Sequence, residues 1–346
     1  ELAGENGKVG MIHPLTFMYI KSFEDVRKYM LDETHIDLFV EYGLSNLFGS
    51  IMVDPAFYVI DKNLQNKKDS IFISLDQYTR TPEEKNKKAY CLQALFDIVA
   101  NNDNKHVYTL PQSKLKGIKS YPFIYWISDE FRKKFGGTTL EDVAKNAQGM
   151  SVSNGEKYQR FFWEVSQDTI KSSVNDKNKW VFFTKGGPYN KWYGNNWLLV
   201  NWANDGHELK NDSKAVIRNK QYQFKKGLTY SSTGSKGSSF RTFDETSLFS
   251  GGGPAVIRIG NTYFDDFYMC AVLNGQLVKY MLGCLNPTVN TTQGDMNRIP
   301  FAIPSSEKMR NISNHAKKNI DTKKHLCQYS IIEPLYKASP ISIEAD

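Results

Sequence analysis

Cysteine is scarce in this 346-residue chain: Cys91, Cys270, Cys284 and Cys327 each stand alone. No CxxC pair exists, so neither a zinc ribbon nor a disulfide framework is indicated. Four scattered thiols fit a reduced, cytoplasmic setting. The six histidines are dispersed, with no HxH or HxxxH pair, and no metal is expected. A GxSxG hydrolase elbow is missing too. No apolar run approaches the roughly 20 residues of a membrane helix, so no membrane partner is expected. Glu1, Glu5 and Lys8 break up the start of the chain, so no signal peptide is expected there. Glycine is plentiful, but SGGGPAVIR (Ser250 to Arg258) lacks GxGxxG and a helix after it, so it is no phosphate cradle.

What is present suits a folded protein of two or three domains: 40% of residues are hydrophobic and 13% aromatic, enough to bury real cores. The net charge is +7, unevenly spread. Between Lys171 and Arg241 there are 13 Lys and Arg against 4 Asp and Glu, a net of +9, which leaves about −2 for the rest. A basic segment in an otherwise balanced chain suggests a polyanion partner, although a solvated lysine face has the same signature.

Along the chain, GKVGMIHPLTFMYI leads to Ser22, which can cap a helix through FEDVRKYMLDE with Glu24 and Asp25 in its first turn. Strands are expected over Ile36 to Gly43, Ser50 to Lys62 and IFISLDQY. Alternating helix and strand read as the second half of an α/β sheet, with no first half ahead of it. Thr81, Pro82 and Glu84 form a capping-box pattern before a helix whose apolar residues include Cys91, Leu92, Leu95, Phe96 and Val99. Ser128 caps a short helix ending at Gly136-Gly137. From Thr138 the pattern becomes β-rich, with short apolar pieces such as VFFTKGGPY, WLLVNW, KAVIRN, PAVIRIG and TYFDDFYMCAVLNG between Gly, Asn and Ser turns. A helix is expected over Gly275 to Asn286, then a polar tail after Pro304.

Several stretches together resemble one family. GKVGMIHPLTFMYIKSFEDVRKYMLDE is similar to the segment that follows the NPPY motif in adenine-N6 DNA methyltransferases, with Phe17, Arg27, Met30 and Leu31 fitting its strand-to-helix pattern. YGLSNLFGSIMVDPAFYVIDK resembles the large adenine-specific methyltransferases of BREX phage-exclusion systems. AQGMSVSNGEKYQRFFWEV resembles the "G..TG.N..F…W.EV" phrase opening their target-recognition domain, with Ser153 in place of Thr and Glu156 after Gly155 near the place of Asn. KGGPYNKWYGNNWLLVNWANDG resembles that domain's next block, and LNPTVNTTQGDMNRIPFAIP its closing segment. The resemblance runs from about residue 7 to about 310.

The fold implied is α/β followed by β-rich α+β. Residues 1–75 would be the C-terminal part of a Rossmann-like methyltransferase sheet, 76–137 a helical connector, 138–310 a target-recognition domain and 311–346 a polar segment. The family uses S-adenosylmethionine and a catalytic NPPY tetrapeptide. Neither the glycine-rich cofactor motif nor any NPP[YFW], DPPY or SPPY occurs here, and Asn286-Pro287-Thr288 lies in the wrong domain to substitute. The expectation is that this chain alone does not methylate DNA and that a missing N-terminal methyltransferase half, with other phage-defence components, would be its partner. Family position implies that Phe57 or Tyr58 packs on the flipped adenine; strand alternation puts the two on opposite faces, so at most one does.

The 21 residues from Gly186 to Gly206 hold three Trp, two Tyr, five Asn and four Gly. Asn can bond adenine, Arg and Lys guanine, and Lys, Tyr and backbone N–H groups phosphate. Asn190, Lys191, Tyr193, Asn195, Asn196 and Asn201 are thus candidates for duplex DNA, with Lys185, Arg218, Lys225, Lys226, Lys236 and Arg241 around them. Trp192, Trp197 and Trp202 fit core pillars better than base-stacking groups. Gly227 to Phe243 is either a groove-reaching loop or a plain hairpin. Two other readings stay open: a non-catalytic DNA-specificity protein, and a carbohydrate-binding β protein, which also uses Trp, Tyr and Asn surfaces.

Overall fold

The computed structural model describes residues 3–4, 7–49, 51–63, 68–260 and 262–342. Glu1, Glu5 and Ser50 lie outside them. The chain divides into two compact units, Glu1–Gly137 and Thr138–Asp346.

The first unit is built on a mixed five-stranded sheet. Its strands in chain order are β1 (Lys8–Pro14), β2 (His35–Glu41), β5 (Pro55–Asp61), β6 (Ser70–Ser74) and β7 (Val107–Leu110), with a side hairpin of β3 (Ser45–Phe48) and β4 (Ile51–Val53). The sheet order is β1-β5-β2-β6-β7; β2 and β6 run parallel and the other pairs antiparallel. One face buries Phe17, Met30, Leu31, Ile36, Phe39, Tyr58, Phe72 and Phe123; the other packs Val40, Tyr42, Ile73 and Leu75 against Ala94. Each large apolar side chain among them contributes about 1.5–3 kcal/mol by leaving water. Arg27 ties the first face together from inside. Its guanidinium donates to the carbonyls of Phe17 (2.6 Å), Ile20 (2.8 Å) and Ser120 (2.7 and 3.0 Å).

Several local expectations change. The strand read over Ser50 to Lys62 is two strands, broken at Asp54. Ser22 caps nothing: a 3-10 turn over Lys21–Phe23 leads into the helix Glu24–Glu33, whose N-cap is Phe23. The capping box does not close. Thr81 donates to the Tyr78 carbonyl (2.9 Å), and the Glu84 carboxylate accepts from the N–H of Arg80 (2.9 Å), one residue short of Thr81. A 3-10 turn over Pro82–Asn86 therefore precedes the helix Lys87–Ala100. That helix buries Lys87 and Ala94 and leaves Leu92, Phe96 and Val99 in solvent. Ser128 does cap its helix, accepting from the N–H of Phe131 at 3.2 Å. The segment 76–137 lies in the same compact unit as the sheet, and its strand β7 pairs with β6.

The second unit holds two four-stranded sheets. Its strands are β8 (Ala144–Ala147), β9 (Gln159–Phe161), β10 (Trp180–Thr184), β11 (Leu198–Asn201), β12 (Gly227–Tyr230), β13 (Phe240–Phe243), β14 (Ser247–Phe249) and β15 (Ala255–Arg258). One sheet is ordered β14-β10-β11-β9, the other β13-β12-β15-β8. Gly227 to Phe243 is a hairpin, β12 against β13. KAVIRN is not a strand; it makes a single bridge, Val216 to Ser151. TYFDDFYMCAVLNG contains a helix, Asp266–Leu273, capped by the Asp265 carboxylate, which accepts from Tyr268 N–H at 2.7 Å. The helix over Gln276–Leu285 forms as expected. The polar tail also folds: Ser306–Cys327 is a 22-residue helix burying Met309, Ser313, Ala316, Ile320 and Cys327. It docks on Asp266–Leu273, and Ser313 donates to Asp265 at 2.8 Å.

Candidate nucleic-acid interface

In the second unit, β9 and the end of β10 lie on either side of β11, and the Gly-rich turn after β10 rises beside them. A groove of about 620 Å³ opens there, lined by Gln159, Arg160, Phe161, Lys185, Gly186, Gly187 and Trp197 among others. A second lobe of about 470 Å³ shares Gln159 and Lys185 and adds Gln148, Ser151, Arg218, Gly251 and Gly252. Glu156 and Glu164 stand on the groove as well, so its charge is mixed at one end and basic at the other.

Local physics fixes these positions. Asn154 caps the short helix Gly155–Tyr158, accepting from Lys157 N–H at 3.0 Å, which delivers the chain into β9. Arg160 donates to the carbonyls of Gln159 (2.6 Å) and Glu156, and its guanidinium lies 5.9 Å from the Trp180 ring. Phe161 and Trp163 stack in parallel, centroids 4.7 Å apart, and remain 41% and 50% exposed. An exposed aromatic pair beside a groove is a surface on which a base can stack. Gly186 is required by geometry: its φ is +87°, and a Cβ there would meet the Gly252 carbonyl oxygen at 2.7 Å.

Of the twelve DNA candidates from the sequence, the structure brings Lys185 and Arg218 to this groove. Lys236 lies in a different cavity of about 480 Å³, beside Lys279, Asn286 and Asp295. Tyr193, Asn196 and Lys226 line a third, of about 600 Å³, against Lys317 and Lys324 of the long helix. Lys225 is exposed and stands over the Tyr222 ring at 5.6 Å. Lys191 donates to the Asn274 carbonyl at 2.7 Å.

Four candidates are scaffold instead. Arg241 is buried, donates weakly to the carbonyls of Gly186 (3.4 Å) and Asn190 (3.3 Å), and burial lowers its pKa to about 10. Asn195 is buried, and its amide donates to the Pro188 (3.0 Å) and Gly186 (3.3 Å) carbonyls. Asn190 donates to Asn195 at 3.2 Å. Asn201 is buried and accepts from Ala203 N–H at 3.0 Å. The turn is closed from beneath by Glu333, whose carboxylate accepts from Asn195 N–H at 2.9 Å. Burial raises the pKa of Glu333. Of the tryptophans, Trp202 is buried, Trp197 packs into two core clusters, and Trp192 is half-buried.

In the first unit, Phe57 and Tyr58 do point to opposite faces. Tyr58 belongs to the main core, stacked on Phe39 and hydrogen-bonded to His13. Phe57 is half-buried on the other face, edge-on to Tyr42. The carboxyl ends of parallel β2 and β6, where α/β sheets bind ligands, carry a buried polar group. Glu41 accepts from Tyr125 and from Ser74 (3.3 Å), and burial raises its pKa to about 7. Asp54 is raised to about 6, by burial and then by Asp76. Lys87 donates to Thr79 (2.8 Å) and the Leu44 carbonyl (3.2 Å), and burial lowers its pKa. These residues do not make a site for S-adenosylmethionine. Glu41 is committed to Tyr125 and Ser74, and no glycine-rich turn accompanies this edge among the described residues.

Comparison with known proteins places this arrangement. No family model matches. The chain is 28% identical over 328 residues to the adenine-specific methyltransferase BrxX of Escherichia coli O9:H4 (strain HS), covering 93% of this chain and 25% of that protein. It is 26% identical over 322 residues to the adenine-specific methyltransferase PglX of Lacticaseibacillus casei (strain Zhang), covering 87% of this chain and 26% of that one. The chain is thus similar to two adenine-specific methyltransferases. It spans about a quarter of the length of these relatives. Two solved structures share its fold. The Type IIL restriction-modification enzyme MmeI, in complex with DNA, aligns at a TM-score of 0.53 and 9% identity, over 99% of this chain and 45% of that one. A nuclease-deletion mutant of the Type ISP restriction-modification enzyme LlaGI, in complex with a DNA substrate mimic, aligns at 0.50 and 14%, over 92% and 35%.

Gln148, Gln159, Arg160 and Phe161 line the groove and Trp163 stacks on Phe161, and none of them was a candidate from sequence. The signal available was FFWEV itself: two bulky aromatics two residues apart at the end of a short strand.

Proposed function

We propose that this chain is the DNA-reading part of a BREX-type adenine-N6 methyltransferase. The second unit receives duplex DNA along the groove of Arg160, Lys185 and Arg218. The first unit supplies the end of the catalytic sheet, with Phe57 rather than Tyr58 near the flipped adenine, because Tyr58 is committed to the core. S-adenosylmethionine supplies the methyl group in the whole enzyme; the residues that hold it belong to a segment outside this chain, and so does NPPY. The observation that carries the reading is the relation to BrxX and PglX over about nine-tenths of the chain.

One further feature supports a missing sheet partner. Strand β1 stands at the sheet's edge with Met11 49% and Ile12 42% exposed, and Phe23, Val26 and Tyr29 are exposed around the helix Glu24–Glu33. An apolar edge strand in solvent is an unstable arrangement unless another element covers it. We assign that place to the N-terminal methyltransferase half.

Fluorescence anisotropy of the chain on random duplex DNA across a salt series tests the proposal. Phosphate contacts release counterions, so log affinity should fall linearly with log salt. A folded chain that binds no duplex at low salt would contradict it.

A further inference from the structure

Gln159 is 8% exposed and lies in the wall common to both lobes of the groove. Its Oε1 accepts from Lys185 Nζ at 3.0 Å. Lysine can only donate, so this bond settles which end of the amide is oxygen. The other end, Nε2, is buried and has no hydrogen-bond partner among the described residues. A buried N–H without an acceptor is costly, and in the wall of a binding groove it points to a ligand that brings the acceptor.

We infer, on the DNA-reading function proposed above, that Gln159 and Lys185 together read a guanine edge in the DNA major groove. A free glutamine offers an acceptor and a donor side by side, which matches adenine N6 and N7. Here Oε1 is taken by Lys185, so that mode is closed. What remains is donors only: Nε2–H and the ammonium protons of Lys185 not used on Oε1. Guanine presents two adjacent acceptors, O6 and N7, to such a pair. Adenine would set its amino group against a donor. Lys185 is exposed, so its ammonium can follow the base, and a turn of the Gln159 side chain brings its buried Nε2 to the groove. Gly187, exposed beside it, puts no side chain in the way.

The test is selection from a randomised duplex pool with the whole chain, with K185A and with Q159A. Wild type should prefer guanine over adenine at one position by on the order of tenfold. In K185A the freed Oε1 should move the preference at that position to adenine. Q159A should lose the preference there and keep the others. Lys185 is exposed, so K185A folds as wild type does and its result stands if Q159A proves unstable. Identical selected sequences from wild type and K185A overturn the assignment while leaving DNA binding intact. If the wild-type chain recovers no duplex at all, the DNA-reading function fails and this assignment with it.

Discussion

Strand β1 of the first unit turns Met11 and Ile12 to solvent, whereas in the second unit the outer strands β14 and β13 are buried or nearly so and β9 exposes Phe161. In the second unit the helix Asp266–Leu273 packs on β12 and β13, and the long Ser306–Cys327 helix packs on that helix. The first leaves apolar groups on its edge strand and on two helices, at Val26, Tyr29, Phe96 and Val99. Charge divides the same way: the excess of Lys and Arg lies between Lys171 and Arg241, within the second unit. The first unit thus leaves apolar side chains on its edge strand and helices, while the second carries the excess positive charge.

Both units nevertheless depend on a buried arginine, and removing either should give the largest effect. Arg27→Ala strips hydrogen bonds from the carbonyls of Phe17, Ile20 and Ser120 and should destabilise the first unit by about 3 kcal/mol or more. Arg241→Ala empties a buried site and strips hydrogen bonds from the carbonyls of Gly186 and Asn190, and should cost the second unit about 3 kcal/mol. Urea titration followed by tryptophan fluorescence checks both; a loss below about 1 kcal/mol in either would break the parallel.

The pH response should come next. Glu41 has a folded pKa of about 7 against an ordinary 4.5. Between those values the folded state holds a proton that the unfolded state has released. Stability of the first unit is therefore greatest below about pH 4.5 as far as Glu41 is concerned, and this contribution is lost as pH rises through about 7. Glu41→Gln should flatten that slope in urea midpoints measured from about pH 5 to 8. A slope that survives the substitution would assign it elsewhere, with Asp54, also raised to about 6, the next residue to test.

The smallest effect should be at the open edge. Ile12→Glu places a charge on an exposed strand position and should change stability by less than about 0.5 kcal/mol. It should also lower self-association of the isolated chain, since a charged edge resists strand pairing. Light scattering against concentration checks this; a large loss of stability would mean that the edge is already covered.

Much of the fold was legible where periodicity and composition agree. The helix Gln276–Leu285 buries Val278, Met281, Leu282 and Leu285 at helical spacing, and the apolar centre of WLLVNW is a fully buried strand. The long helix was not read because its buried stripe is narrow and includes Ser313 among polar neighbours. The candidate interface was half legible. Lys185 and Arg218, proposed from charge, do line the groove. Asn195, Asn201 and Arg241 turn out to be buried, which sequence could not show because it gives a side chain's chemistry and not its partners. Carbonyls inside the Gly186–Asn195 turn consume Asn195 and Arg241, and a backbone N–H consumes Asn201. Gln159 could not be found from sequence, since its significance depends on Lys185, 26 residues away, taking its oxygen.

On this account the groove of the second unit supplies the phosphate contacts that set the salt dependence. The decisive measurement is the slope of log affinity against log salt for two triple variants of the chain. Replacing Arg160, Lys185 and Arg218 with alanine should flatten the slope by about 0.9 for each of the two arginines, Lys185 being spent on a base. Replacing the exposed Lys21, Lys28 and Lys88 of the first unit should leave it unchanged. An unchanged slope in the groove variant, or a flattened one in the first-unit variant, would contradict the account.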